Sequence, residues 1–184
     1  MERSKQWFYQ TDCSLFYLIN EKSQSKISFL VMSYLTHLGG ATFTVGITIL
    51  LCLLLSGPMK GLALAAALAL TFSHILVVIF KKGYRRKRPY LVLPNTYVVD
   101  NRFKDHSFPS GHTTAIFSVA TPFILFNPWL SFLLLPIALL VGVSRIFLGL
   151  HYPSDVIVGA ILGFSSALLS TVVFSYWFIE LGMA

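Results

Sequence analysis

A helical membrane bundle is the fold class this sequence predicts, and three observations predict it. Of its 184 residues 55% are hydrophobic and only 11% are charged, whereas a soluble domain carries about 25% charged residues. The mean hydropathy is +0.73. The apolar residues gather into runs that match the ~20 residues a bilayer crossing needs, and polar islands and Gly-Pro or Asn-Pro turns separate those runs. The expectation is an all-α integral membrane bundle of five to six transmembrane helices with an N-terminal interfacial helix, forming one domain over residues 1–184.

Each element follows from local chemistry. Trp7 to Asn20 mixes aromatic and aliphatic residues with Asp12 and Asn20, and Glu21 to Lys26 is wholly polar. That stretch is too interrupted to span, and residues 1–26 read as an interfacial segment with Trp and Tyr at headgroup level. Ile27 to Leu55 is apolar but broken at Thr36-His37-Leu38-Gly39-Gly40. It reads as a short helix entering the membrane followed by a crossing from Ala41, with one long tilted helix as the alternative. Gly57-Pro58 makes a turn, because Pro suits the first helical position. Met59 to Phe80 is then a span of about 33 Å at 1.5 Å per residue. A polar loop covers residues 81–110. Gly111 to Phe126 is a short third span containing Pro122, which a membrane helix tolerates when its freed carbonyl finds another donor. Asn127-Pro128 turns the chain into a fourth span, Trp129 to Leu148, and Val156 to Phe178 is the fifth.

Charge and cysteine content exclude several function classes. The net charge is +7 and the pI about 9.6, but much of the excess lies in Lys81 to Arg88, beside lipid-compatible sequence. That placement favours an anionic lipid headgroup as partner and argues against nucleic acid. Cys13 and Cys52 are far apart, so no disulfide framework is expected. The N-terminal residues lack the apolar core and cleavage site of a signal peptide.

Three polar islands hold the candidate chemistry, and alternating spans would bring all three to one membrane face. In the first, Lys81 and Arg88 are seven residues apart, so both point one way if the helix continues to Pro89, which would then stop it. An Arg and a Lys together neutralise a phosphate, the Arg in bidentate fashion. In the second, Ser110-Gly111-His112 follows Pro109 and opens a helix, with Ser110 as N-cap. The free N–H groups of that helix start, with its dipole, form an anion site, and His112 stands beside it. In the third, Arg145 ends one helix, while His151 precedes the helix that Pro153-Ser154-Asp155 starts. Asp155 lies near enough in sequence to accept a hydrogen bond from His151, which frees the other ring nitrogen as nucleophile or base. Ser144 and Arg145 at this membrane level are hard to explain structurally in a chain with so few charges. Elsewhere, His74 beside Ser73 is expected to make a helix-to-helix hydrogen bond, and His37 to be structural or interfacial. Asp100, Asp105 and His106 are candidates for a headgroup entrance.

Taken together, Lys81 with Arg88-Pro89, Pro109-Ser110-Gly111-His112, and Ser144-Arg145 with His151 and Asp155 resemble the three-part signature of the type 2 phosphatidic acid phosphatase family. The internal spacing matches as well: six residues between Lys81 and Arg88, five between Arg145 and His151, three between His151 and Asp155. The resemblance implies that His151 attacks phosphorus to give a phosphohistidine and that Asp155 orients it. It further implies that His112 protonates the leaving group and then activates water. Lys81, Arg88, Ser110, Gly111 and Arg145 would hold the phosphoryl oxygens, with no metal and no cofactor. The substrate implied is a lipid phosphate or diphosphate: phosphatidic acid, phosphatidylglycerol phosphate or undecaprenyl diphosphate.

Two departures and two rivals accompany that resemblance. Many bacterial members resemble a six-helix arrangement with one more crossing before the interfacial helix. The expected location is a bacterial cytoplasmic membrane with the site facing the periplasm or exterior, yet the basic loop would be cytoplasmic by the positive-inside rule. Lys82, Arg85, Arg86 and Lys87 have no counterpart in the motif to account for them. The rivals are a lipid-phosphate binding or transport module without hydrolysis, and an enzyme resembling the vanadate-dependent haloperoxidases.

Overall fold

The computed structural model describes residues 2–98 and 105–180, and within them every regular element is helical. In chain order these are α1 (Glu2–Asn20), α2 (Lys26–Leu35), α3 (Ala41–Leu54), α4 (Gly57–Gly83), α5 (Pro89–Val92), α6 (Gly111–Phe126), α7 (Ser131–Phe147) and α8 (Pro153–Glu180). Three helical stretches are long and apolar enough to cross a bilayer: Gly57–Gly83, Pro128–Phe147 and Pro153–Tyr176. The pair α2 and α3, bent by 47° at Gly40, makes a fourth if it is one broken span. The break at Thr36 to Gly40 is real, which excludes a single straight helix there. α6 has 16 residues, short of a full crossing.

The centre of the bundle is α6, which packs on α8, α4, α7 and α3. Lipid tails are as apolar as leucine, so membrane helices associate through close packing and interhelical hydrogen bonds. The buried residues fit that rule: Gly61, Ala63, Ala65, Ala66, Ala69 and Ser73 on α4, and Thr113, Thr114, Ala115 and Ser118 on α6. On α8, Gly159 and Gly163 sit one turn apart against α6. A side chain at Gly159 would come within 2.7 Å of the Ser110 carbonyl. The two helices can approach this closely only because those positions have no Cβ. Between α4 and α6 the hydroxyls of Ser73 and Ser118 pair at 2.9 Å. The interhelical hydrogen bond expected of His74 is thus made by its neighbour, while His74 lines a cavity between α3 and α4.

The N-terminal helix buries two polar residues and exposes several large apolar ones. Asp12, Phe16 and Asn20, spaced by four, are buried, whereas Trp7, Phe8, Leu15 and Leu18 are exposed. α1 therefore turns Asp12 and Asn20, together with Phe16, into the protein, while Gln6, Gln10 and Ser14 stay exposed. Asn20 Nδ2 donates to the carbonyls of Tyr97 and Phe147, both at 2.8 Å, and Phe16 packs with Ile146 and Tyr152. The segment caps the bundle end where α4 and α7 finish and α6 and α8 begin.

Candidate active site

All three polar islands meet at that end, but the first is built differently from its sequence expectation. α4 stops at Gly83, and residues 84–88 run without regular structure. Arg88 is extended (φ −70°, ψ 151°) and caps α5, in which Pro89 takes the first position. Pro89 therefore does not end the helix bearing Lys81. It forces Arg88 out of the helical region and starts a new turn. Lys81 and Arg88 do not share a helix face; they converge through the loop. Lys81 Nζ and Arg88 Nη2 grip the two carboxylate oxygens of Asp105, the latter at 2.6 Å. Arg88 Nη1 donates to the Leu150 carbonyl at 2.9 Å and lies 3.2 Å from His151 Nε2.

The second island opens α6 as expected. Ser110 is the N-cap residue, yet its hydroxyl makes no capping bond and pairs with Thr113 Oγ1 at 2.9 Å. Its N–H donates to the Asp155 carbonyl at 3.0 Å, tying the start of α6 to the start of α8. A side chain at Gly111 would touch Val77 at an ordinary 3.8 Å, so protein packing alone does not demand glycine there. His112 lies in the first turn, within electrostatic reach of Arg145, His151, Lys81 and Arg88. Against it rests the α2–α3 break, where a side chain on Gly39 would come within 2.8 Å of the His112 carbonyl. That break also supplies Thr36, whose hydroxyl accepts from Arg145 Nη1 at 2.6 Å.

In the third island the N–H groups of Leu150 and His151 both donate to the Arg145 carbonyl, at 3.0 and 3.2 Å. This turn brings the Arg145 backbone to that of the histidine. Ser144 is bonded into its own helix, to the Val141 carbonyl at 2.7 Å. His151 Nδ1 faces Asp155 Oδ2 at 3.6 Å, an ion-pair separation longer than the hydrogen bond expected from spacing. Burial, opposed by Asp155 and reinforced by the charges of Arg88 and Arg145, depresses the His151 imidazole to about 3. The ring is thus neutral at physiological pH, with Nε2 turned toward the cations. Asp155 is fully buried and accepts from the Tyr152 N–H at 2.9 Å, from the Ser107 hydroxyl, and from Arg86 Nη1 at 2.7 Å.

The structure thus gathers the motif residues at one end of the bundle: His112 lies within electrostatic reach of Arg145, His151, Lys81 and Arg88, Arg88 is next to His151, Asp155 faces the other side of that ring, and Ser110 is tied to Asp155 through its N–H. It also adds residues that sequence reasoning passed over. Arg86 is one of the four loop cations for which the motif has no counterpart. Ser107 lies three residues before Ser110 and carries no motif signal of its own. Asp12 belongs to no motif but accepts from Arg86 and Ser154. Asp105, a headgroup-entrance candidate, sits directly on two of the cations; Asp100, its companion, lies outside the described residues. Partial burial opposes ionisation of Asp105, yet the Lys81 hydrogen bond and the Arg88 and Lys81 charges outweigh it and hold its carboxyl at about 2.

Such an arrangement of three cations, the N–H groups of a helix start and two neighbouring imidazoles can bind a tetrahedral oxyanion. The chain is similar to known proteins. The "Bacitracin transport permease protein BcrC" of Bacillus licheniformis is 38% identical over 112 residues, covering 61% of this chain and 53% of that protein. An undecaprenyl-diphosphatase of Sulfolobus acidocaldarius is 30% identical over 150 residues, covering 81% and 71%. The match thus spans from about half to about seven-tenths of these relatives. The crystal structure of Aquifex aeolicus LpxE superposes with a TM-score of 0.77 at 27% identity, covering 86% of this chain and 93% of that one. The family profile of the PAP2 superfamily matches residues 62–179, which contain all three islands, and the chain belongs to that superfamily.

Proposed function

We propose that this protein is a metal-independent integral membrane phosphatase that removes the terminal phosphate of a lipid phosphate or diphosphate through a phosphohistidine on His151. One observation carries the reading: the His151 ring is held with Nδ1 toward the buried Asp155 and Nε2 3.2 Å from Arg88 Nη1. In the proposed reaction Nε2 bonds to phosphorus as the bond to the lipid oxygen breaks. His112 gives its proton to that oxygen. Water then attacks the phosphohistidine, His112 takes up the water's proton, and inorganic phosphate leaves with His151 neutral again. Lys81, Arg88, Arg145 and the N–H groups opening α6 stabilise the equatorial oxygens. Three cations around one space favour an oxyanion and repel a divalent metal.

The lipid tail has a place to go. From Gly40, beside His112, a cavity of about 670 Å3 follows α3 past Phe43, Gly46, Ile47 and Leu50. It begins on the side where His112 would protonate the leaving oxygen, so the departing lipid stays against α3. The undecaprenyl-diphosphatase relative favours a polyprenyl diphosphate within the lipid phosphate class. With α6 counted as a short span the proposed bundle would cross the membrane five times, with the site proposed to face outward from a bacterial cytoplasmic membrane. Arg86 supports that side, because its charge is consumed by Asp12 and Asp155 and gives no topology signal.

The test is phosphate release from purified protein in EDTA, across phosphatidic acid, phosphatidylglycerol phosphate and undecaprenyl diphosphate. Release from at least one class is expected, the diphosphate being fastest. Binding without release from any of them would overturn the enzyme reading in favour of a transport or binding module, a possibility raised by the name of the Bacillus relative. A membrane-impermeant maleimide should label a cysteine placed at Lys87 in intact cells lacking Cys13 and Cys52; labelling only after permeabilisation would reverse the sidedness.

A further inference from the structure

We propose that Asp12 on α1 and Arg86 on the loop after α4 form a positioning brace for the catalytic carboxylate, making the N-terminal helix a working part of the active site. The proposal rests on the phosphatase reading above. Arg86 acts by bonding Asp155 directly, and Asp12 acts by bonding Arg86 and the Ser154 N–H.

The geometry is specific. Asp155 has two oxygens and two tasks. Its Oδ2 faces His151 and accepts from the Tyr152 N–H and the Ser107 hydroxyl. Its Oδ1 accepts from Arg86 Nη1 at 2.7 Å. The same Nη1 donates to Ser154 Oγ at 2.8 Å, and Nη2 meets Asp12 Oδ2 at 2.6 Å. Asp12 Oδ1 in turn accepts from the Ser154 N–H at 2.9 Å, at the start of α8. The guanidinium also lies 3.8 Å from the centre of the Tyr152 ring, next to His151 in sequence. One planar cation is therefore fixed on two carboxylates and a ring, and it fixes the tilt of the Asp155 carboxylate.

The arrangement has an energetic logic. A buried carboxylate fully neutralised by one arginine would lend little negative charge to a neighbouring imidazole. Asp12 shares the Arg86 charge, so Asp155 keeps enough of its own to steady the imidazole when phosphorus bonds to Nε2. Position and residual charge are thus set together, from a helix 142 residues away in sequence from Ser154. The exposed apolar face of α1, with Trp7, Phe8, Leu15 and Leu18, fits a lipid surface. Membrane seating of α1 and the tilt of Asp155 then become one event.

The brace makes a prediction that a purely structural role does not. Arg86→Gln and Asp12→Asn should both lower kcat with KM unchanged, by about 100-fold and about tenfold, since misplacement of a catalytic group costs on that order. Their effects on His151 should differ in sign. The groups facing that ring are Arg88, Arg145, His112 and Asp155, and those facing Asp155 are Arg86, Ser107 and the Tyr152 N–H. Removing the Arg86 charge should raise the pH at which His151 takes up a proton, by about one pH unit. Removing the Asp12 charge should not raise it. The measurement is a histidine NMR titration of the full-length protein in nanodiscs, alongside steady-state kinetics and thermal stability. Arg86→Lys guards against misfolding of the glutamine variant: it keeps the charge but not the fork, so it should keep the wild-type titration and recover only part of kcat. Ser73→Ala serves as the control, removing the Ser73–Ser118 hydrogen bond between α4 and α6 without touching α1 or Asp155, and should lower stability while leaving kcat in place. If Arg86→Gln and Asp12→Asn lose activity only in proportion to stability, or move the titration in the same direction, the brace is wrong. A wild-type protein that releases no phosphate would instead overturn the phosphatase reading itself.

Discussion

Asp105 and Asp155 each hold cations at the same end of the bundle, and their surroundings give them opposite tasks. Asp105 is 47% exposed and bridges Lys81 and Arg88, the pair expected to receive the phosphate. Asp155 is fully buried at the start of α8 and is bound by Arg86, Ser107 and the Tyr152 N–H. A carboxylate on an exposed loop can be displaced by an incoming dianion at small cost, because its ion pairs are screened by water. A buried one with three donors cannot leave without exposing an unpaired charge. The first stands in for substrate; the second stands behind the nucleophile. What separates them is burial, not chemistry.

That contrast is broken most severely at Asp155. Asp155→Asn should lower phosphate release by about 10³- to 10⁴-fold, the scale seen when the orienting aspartate of a catalytic triad becomes asparagine. His151→Ala should abolish release and leave no acid-labile, alkali-stable phosphate on the protein, as labelling quenched in alkaline detergent would show. Phosphate trapped on another residue would reassign the nucleophile.

Asp105 should respond in the other direction. If it competes with substrate, Asp105→Asn should tighten inhibition by inorganic phosphate and vanadate by about fivefold, an effect of about 1 kcal/mol as for an exposed ion pair. Weaker inhibition would show that Asp105 instead organises Arg88, and the contrast between the two aspartates would collapse.

The protonation states sharpen the comparison further. His151, depressed to about 3 by burial and by Arg88 and Arg145 against the pull of Asp155, should remain neutral in a ¹⁵N-histidine titration from pH 8 down to pH 5. An ordinary histidine would be mostly protonated at the lower limit. Because its folded value lies below its unfolded one, His151 should cost stability as pH falls below about 6.5. Asp105 has linkage of the same sign in a lower window: held at about 2, it favours the folded state above its ordinary value and loses that contribution as pH falls toward about 2. The smallest effect is expected far from both aspartates. Ser73→Ala removes the Ser73–Ser118 hydrogen bond and should cost about 0.6 kcal/mol of stability with kcat unchanged, by thermal denaturation in detergent.

Much of the site was legible in the sequence because motif residues sit at helix ends, and helix ends are written in local chemistry. Pro109 before Ser110-Gly111, and Pro153 before Asp155, mark the starts of α6 and α8 where the structure has them. The same chemistry was misread once. Pro89 was taken to end the helix bearing Lys81, although the residue before a proline is pushed to extended backbone and a proline suits a first helical position. The seven-residue spacing of Lys81 and Arg88 suggested a shared face that Gly83 had already ended. Arg86 was hidden for another reason: in a run of six basic residues between Lys81 and Arg88, nothing local separates the one that turns inward.

By itself, then, the sequence determined the class of the protein, its helices and the identity of the groups that meet at one membrane face. Those follow from composition, apolar run length and the conformational limits of proline and glycine, all of which act over a few residues. Tertiary structure alone decided which counter-charge each cation takes. Arg86 finds Asp12 and Asp155 at separations of 74 and 69 residues, and Arg88 finds Asp105 across 17. Coulomb energy depends on distance in space and on the local dielectric, and both quantities come into being only when the helices pack.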